Sequence, residues 1–196
     1  MSATGWREPP TLSGHRALLR PTRLSDVDGL IAAHQNDDET LRYFPYGIES
    51  EPPSERTVAH ALASGRQVLT QIDALTGRVV GMTALYNMSE AHRRVTIGYT
   101  WLSQSVRGTG FNREAKVLLL DHVFDGLAAR RAEFNVDNEN ARSRRAVLAL
   151  GATEEGALRG HARRRDGSWR TTIVYSILAE EWPRLRSALA PAGAAG

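Results

Sequence analysis

Apolar and polar positions first alternate over residues 15–21 ("HRALLRP"), which predicts a strand ended by Pro21. Residues 25–35 ("SDVDGLIAAHQ") then show helical spacing, with Ser25 as the expected N-cap and Asp28 three residues on. A short helical piece, "DDETLRYF", and a helix over "SERTVAHALASG", stopped at Gly65, complete an N-terminal helical block. The period next changes to two. "QVLTQIDALTGRVVGMTALYNM" predicts two strands around a turn at Thr76–Gly77, and "RRVTIGYTWL" a third. After a Gly-X-Gly turn, Ala115, Leu118, Leu119, His122 and Val123 share one helical face, where His122 reads as a core histidine. "AEFNVDN" predicts a strand, "ARSRRAVLAL" a helix closed by Gly151, and residues 152–178 a long hairpin turning near Asp166–Gly167. "EEWPRLRSAL" predicts a final short helix.

The chain is therefore α/β with a mixed (α+β) sheet: an antiparallel meander followed by β-α-β-α-β-β. A Rossmann domain would alternate strand and helix from the start. With 196 residues and no shift in composition, a single domain over residues 12–189 is expected, between flexible tails at 1–11 and 190–196.

Composition narrows the setting. Apolar residues make up 41% and charged residues 24%, as in ordinary globular chains. No apolar run is long enough to span a bilayer, and "MSATGWREPP" lacks a signal-peptide core, so a cytoplasmic protein without membrane contact is expected. The absence of cysteine fits a reducing compartment and excludes disulfides, thiolate nucleophiles and cysteine-held zinc. Six histidines far apart give no metal-ligand spacing, so no metal is expected. Lys116 is the only lysine among 25 basic residues, which suggests an arginine-biased genome rather than a special partner. The cluster "RGHARRRDGSWR", with Arg159, Arg163, Arg164, Arg165 and Arg170, reads as a solvated strand pair or, where it edges a binding site, as a field that attracts an acidic peptide or an anionic small molecule. No single-strand-binding aromatic pattern accompanies it, so no nucleic acid is expected.

The most informative stretch is "SVRGTGFNREAK", residues 105–116. A glycine turn between a strand and a helix presents free backbone N–H groups and a positive dipole end, which suits a phosphate. A Walker loop would need Gly-Lys-Ser/Thr, which is missing. A dinucleotide fingerprint would need a third glycine, where Arg113 stands. An acyl-coenzyme A loop needs only the short Gly-X-Gly turn.

Taken with "LRPTRLSDVDGL", "IGYTWL" and "NENARSRRAVLALGATEEGALR", this stretch resembles the GNAT superfamily of acyl-CoA-dependent N-acyltransferases. The resemblance runs over roughly residues 12–180 and points to the branch that includes the ribosomal-protein N-terminal alanine acetyltransferases. It implies the family fold, a sheet splayed near its middle. Acetyl-CoA would be the co-substrate and a primary amine the acceptor: a protein N-terminus, a lysine or a small molecule. The protein would be a monomer or homodimer.

Position by position, the resemblance implies that the backbone around Val106, Arg107, Gly108, Thr109, Gly110 and Phe111 cradles the pyrophosphate, with Asn112 and Arg113 at the helix start. Trp101 and Leu102 would lie along the pantetheine arm and acetyl group, and Asn140 would contact that arm. Ser143 matches a residue that can protonate the departing thiolate. Tyr43, Phe44 and Tyr46 would wall the acceptor pocket. Two positions depart from the family. Thr96 stands where the branch commonly carries a glutamate base, and Ser105 where Gln or Arg is frequent. Deprotonation is then left to ordered water, to another acid such as Glu133, or to no dedicated base. A CoA-binding module with little or no catalysis is the alternative.

Overall fold

The computed structural model describes residues 5–35 and 37–189. Its elements run β1 (Leu12–Ser13), β2 (Ala17–Pro21), α1 (Val27–His34), α2 (Asp38–Leu41), α3 (Glu55–Ala63), β3 (Gln67–Asp73) and β4 (Arg78–Ser89). They continue with β5 (Arg94–Leu102), α4 (Phe111–Asp121), β6 (Arg131–Asp137), α5 (Ala141–Leu148), β7 (Thr153–Arg163), β8 (Trp169–Leu178) and α6 (Trp182–Leu189). The order agrees with the sequence pattern, apart from the two-residue β1, which is too short to leave a periodic signal. Residues 1–4 and 190–196 of the expected tails lie outside the described residues; within the remainder, Trp6 packs against the main core.

One local expectation is corrected. Ser25 does not cap α1; it lies inside a 3-10 turn at Leu24–Asp26, and the Asp26 carboxylate accepts the Arg23 N–H at 2.9 Å. Asp26 holds the N-cap position of α1 without a side-chain cap bond; its carboxylate is also taken by Arg20, which reaches both oxygens at 2.8 and 2.6 Å, and by Thr70 at 2.9 Å.

A single sheet carries the strands in the order β1-β2-β3-β4-β5-β6-β8-β7. Neighbours are antiparallel except β5 and β6. One face supports the main core, where Val95, Ile97, Phe134 and Tyr175 pack with Phe111 and Leu119 of α4 and Val147 of α5. On the other, Leu30, Leu41 and Val58 of α1–α3 gather around Trp101. Strand β3 lies between these layers and is buried along its whole length; Gln71 donates to the Met82 carbonyl at 2.9 Å and Asp73 pairs with Arg16 at 3.2 Å, while Gln67 Oε1 is buried without a hydrogen-bond partner.

The feature that positions the site is the parting of β5 from β6. They pair only over Arg94–Thr96 with Arg131–Glu133. Beyond those rungs β5 pairs with β4 alone and β6 with β8 alone. In the same region β5 carries an extra residue against β4, between the pairs Ala84–Gly98 and Met82–Trp101, and Tyr99 adopts φ 50°. Such a bulge bends its strand and leaves backbone groups unpaired, as at the rims of many sites.

Candidate active site

The parted strands open a cleft of about 600 Å³. One wall is the β5 end and the loop into α4, which contribute Gly98, Trp101, Leu102, Gly108 and Asn112; the other is β6 and α5, with Asn135, Asn140 and Ser143. The loop after α2 covers one end with Tyr43 and Phe44.

Gly108 and Gly110 have φ of +74° and +87°, values that strain any side-chain-bearing residue. A Cβ at either would meet nothing within 4 Å, so backbone conformation rather than crowding demands glycine there. Gly110 is the N-cap of α4, and the helix's first N–H groups, at residues 111–113, lack partners four residues back. Asn112 lines the cleft with its Oδ1 buried and without a hydrogen-bond partner. This chemistry fits an anion at the helix start and a polar group beside it.

The turn is held from behind. The Arg107 guanidinium donates to the Leu102 carbonyl at 3.0 Å through Nε, and to Asp37 and to Thr40 Oγ1. Burial pushes Asp37 up, but hydrogen bonds from Thr40 and Arg107 outweigh it and hold the carboxyl at about 2. Arg107 therefore shapes the loop and fastens it to α2.

Across the gap, Asn140 caps α5: its Oδ1 accepts the Ser143 N–H at 2.9 Å. Ser143 Oγ makes no hydrogen bond to the described residues and borders the cleft.

Of the sequence-predicted positions, Trp101, Leu102, Arg107, Gly108, Gly110, Asn112, Arg113, Asn140, Ser143, Tyr43 and Phe44 meet on this one cleft. The side chains of Val106 and Phe111 are in the core, and Thr109 turns its hydroxyl back to the Val106 carbonyl at 2.8 Å, so these three residues have backbone groups to offer a ligand. Tyr46 is 66% exposed and does not line the cleft; its N–H is bonded to the Arg163 carbonyl at 2.7 Å. Glu133 sits beside Thr96 on the last paired rung, behind the opening, and its carboxylate is held by Arg131 Nε at 2.6 Å. His122 is partly buried, with Nε2 lacking a partner, and burial pushes its pKa down.

Sequence reasoning missed several residues that border the cleft. Tyr86 accepts from Asn135 at 3.4 Å and packs edge-on to Tyr99, with ring centroids 5.0 Å apart. Burial pushes the Tyr86 phenol up to about 12, so it stays protonated at neutral pH. Lys116 is buried under the bulge, its Nζ 2.7 Å from Thr100 Oγ1 and 3.4 Å from Thr83 Oγ1. Desolvation pushes its pKa down to about 7. Arg170 is also buried, and His161 places Nδ1 3.0 Å from Thr172 Oγ1. Two of the hairpin arginines thus depart from the solvated reading: Arg164 and Arg170 are buried, whereas Arg159, Arg163 and Arg165 are exposed. Arg164 grips both oxygens of Asp137, at 2.8 and 3.0 Å.

Among the described residues no cluster of histidine, aspartate and glutamate is arranged to hold a metal. No helix there is long and apolar enough to cross a membrane.

Residues 16–153 match the sequence model of a family described as the acetyltransferase (GNAT) domain. The chain is 29% identical over 176 residues to the uncharacterized N-acetyltransferase YoaA of Bacillus subtilis (strain 168), covering 86% of this chain and 97% of the relative. Among solved structures it is similar to a GCN5-related N-acetyltransferase from Brucella melitensis, with TM-score 0.82 and 30% identity over 93% of this chain and 86% of the other. It is also similar to Mycobacterium smegmatis RimJ in complex with CoA-disulfide, with TM-score 0.78 and 28% identity over 94% of each chain.

Proposed function

The chain belongs to the GNAT acetyltransferase family, and from that premise we propose that its cleft binds acetyl-CoA and transfers the acetyl group directly to a primary amine. The observation that carries this reading is the convergence of Gly108, Gly110 and Asn112 on one wall with Asn140 and Ser143 on the other. Acetyl-CoA supplies an activated thioester carbonyl. The chain supplies position and charge. The N–H groups at residues 111–113 and the Arg113 side chain meet the pyrophosphate, and Asn140, whose Oδ1 is spent on its own helix, offers Nδ2 to the pantetheine arm. Backbone N–H groups freed at the Tyr99 bulge polarise the thioester oxygen. Ser143 Oγ gives its proton to the departing sulfur.

Among the described residues no unpaired carboxylate lines the cleft: Asp137 is taken by Arg164, and Glu133, behind the opening, is held by Arg131. Positioning, worth up to roughly 7–11 kcal/mol, carries much of the rate. Such a site favours amines already neutral near pH 7–8. An α-amine, with a pKa of about 7.7–8.0, then reacts more readily than a lysine ε-amine near 10.4. A peptide N-terminus is the acceptor class this reading prefers.

The lack of a free carboxylate also favours a second reading, a CoA-binding module without efficient turnover. Following thiol release from acetyl-CoA with a panel of peptide α-amines, ε-amines and small amines separates the two. Amine-dependent thiol release, fastest with α-amines, supports the transferase. Binding of acetyl-CoA with no release for any amine supports the module.

A further inference from the structure

Arg170 presents a charge problem that acetyl-CoA does not solve. It stands on β8 two residues before Thr172, which pairs with Asp137 of β6. Side chains two apart on a strand share a face, as do cross-strand partners. Arg170 thus lies with Asp137 and Asn135 on the sheet face opposite α4 and α5, beneath the loop carrying Tyr43 and Phe44. It is 6% exposed and lines the cleft. Its Nε donates to Thr172 Oγ1 at 2.8 Å and its Nη1 to the Tyr43 carbonyl at 3.2 Å, both neutral oxygens.

Among the described residues Arg170 forms no ion pair. The nearby carboxylate, Asp137, has both oxygens engaged by Arg164 and takes the Glu139 N–H as well. The cleft's other neighbours at this end, Tyr86, Tyr99, Asn135 and His161, bring no carboxylate. A guanidinium cannot shed its proton, and a cation withdrawn from water calls for an opposite charge. Burial accordingly pushes the Arg170 pKa down despite the field of Asp137.

We infer that Arg170 is an anion subsite at the acceptor end of the cleft, and that the acceptor is an amine carrying a carboxylate close to its amino group. This rests on the transferase reading above. The amine would approach the bulge at Tyr99 while its carboxylate meets the open edge of the guanidinium, with Tyr43 and Phe44 closing over the intervening carbons. Two sources share this chemistry: the α-carboxylate of a free amino acid, and the acidic side chain of a peptide's first residues.

The test compares acceptors that differ only in carboxylate against carboxamide: free amino acids against their amides, and peptides beginning with Asp or Glu against those beginning with Asn or Gln. Acetyl-CoA-dependent thermal stabilisation of the same protein is measured in parallel. The carboxylate member of at least one pair type is expected to have a kcat/KM higher by about tenfold or more, the scale of one charge-assisted hydrogen bond. The pair type that shows it identifies the source. Arg170→Gln should collapse the preference. Arg170→Lys, which keeps the charge without the fork, should retain part of it and guards against a Gln variant that fails to fold. Equal rates for carboxylate and carboxamide in both pair types, with acetyl-CoA still stabilising the protein, would overturn the subsite and leave the transferase reading standing. Loss of the acetyl-CoA effect itself would bring down the transferase reading instead.

Discussion

Lys116 Nζ on α4 donates to Thr100 Oγ1 on β5 at 2.7 Å, tying the helix after the glycine turn to the bulge that opens the cleft. Thr83 and Thr100 share a further hydrogen bond of 2.7 Å, and whichever hydroxyl accepts in it is free to donate to the Gly98 carbonyl, which lies 3.3 Å from each. The chain's only lysine thus sits under the strand segment expected to face the thioester.

That burial has a measurable sign. With its pKa pushed down to about 7, Lys116 binds fewer protons in the folded chain than in the unfolded one between pH 7 and about 10.4. Its contribution to stability is present above the unfolded value and is lost as pH falls through the folded one. Stability of the native protein relative to Lys116→Met should therefore rise between pH 7 and 10, by at most roughly 1.4 kcal/mol per pH unit. Chemical denaturation of both proteins across that range checks it; a flat or falling difference would place the amine in water.

Asn140 combines a cap with a proposed ligand contact, and two substitutions separate them. Asn140→Ala removes the acceptor of the Ser143 N–H and should cost about 1 kcal/mol of stability. Asn140→Asp keeps a good cap but replaces the Nδ2 donor with an acceptor. Both variants should weaken acetyl-CoA binding, whereas only the alanine should lower the melting temperature of the free protein.

Asp37 links α2 to the loop through Thr40 and Arg107. Held at about 2, below the ordinary value near 3.9, its carboxylate stabilises the fold above that ordinary value, and the gain is lost as pH falls toward 2. Asp37→Asn should cost about 1.5–3 kcal/mol at pH 7. Its penalty relative to the wild type should shrink between pH 4 and 2 in acid-unfolding curves. Acetyl-CoA should also bind the variant more weakly, because the Arg107 turn loses its anchor.

Ser143→Ala tests proton delivery to the leaving sulfur. The backbone N–H that meets Asn140 is untouched, so α5 should keep its cap. The turnover number is expected to fall by about a hundredfold, the lower range for a general acid, with the KM for acetyl-CoA nearly unchanged. Unchanged turnover would assign the proton to solvent or to the protonated Tyr86 phenol.

How much of this was legible in the sequence follows from how far each feature depends on neighbours along the chain. The glycine turn is local and could be read directly. The element order was legible because the period of the apolar positions changes cleanly at residue 67. Ser25 is a cap-type residue, but Asp26 holds the N-cap position, with its carboxylate turned to Arg20 and Thr70, which only the sheet brings near. Glu133 had the right chemistry, but strand register places it on the closed rung with Arg131. Lys116 carried no signal and Arg170 only that of the hairpin's arginine cluster, since charged residues are ordinarily exposed. Their burial comes from cross-strand pairing and helix packing that no local pattern encodes.

The most direct test of the central claim is thermal unfolding with and without acetyl-CoA, for the wild type and for Gly108→Asp. The substitution strains a left-handed position and sets a carboxylate where phosphate is expected. At about 100 times its dissociation constant, acetyl-CoA should add roughly 2.7 kcal/mol to the native wild type. A clear rise in Tm that disappears in Gly108→Asp is the predicted result. No rise for the wild type at millimolar acetyl-CoA, or an equal rise in both proteins, would contradict it.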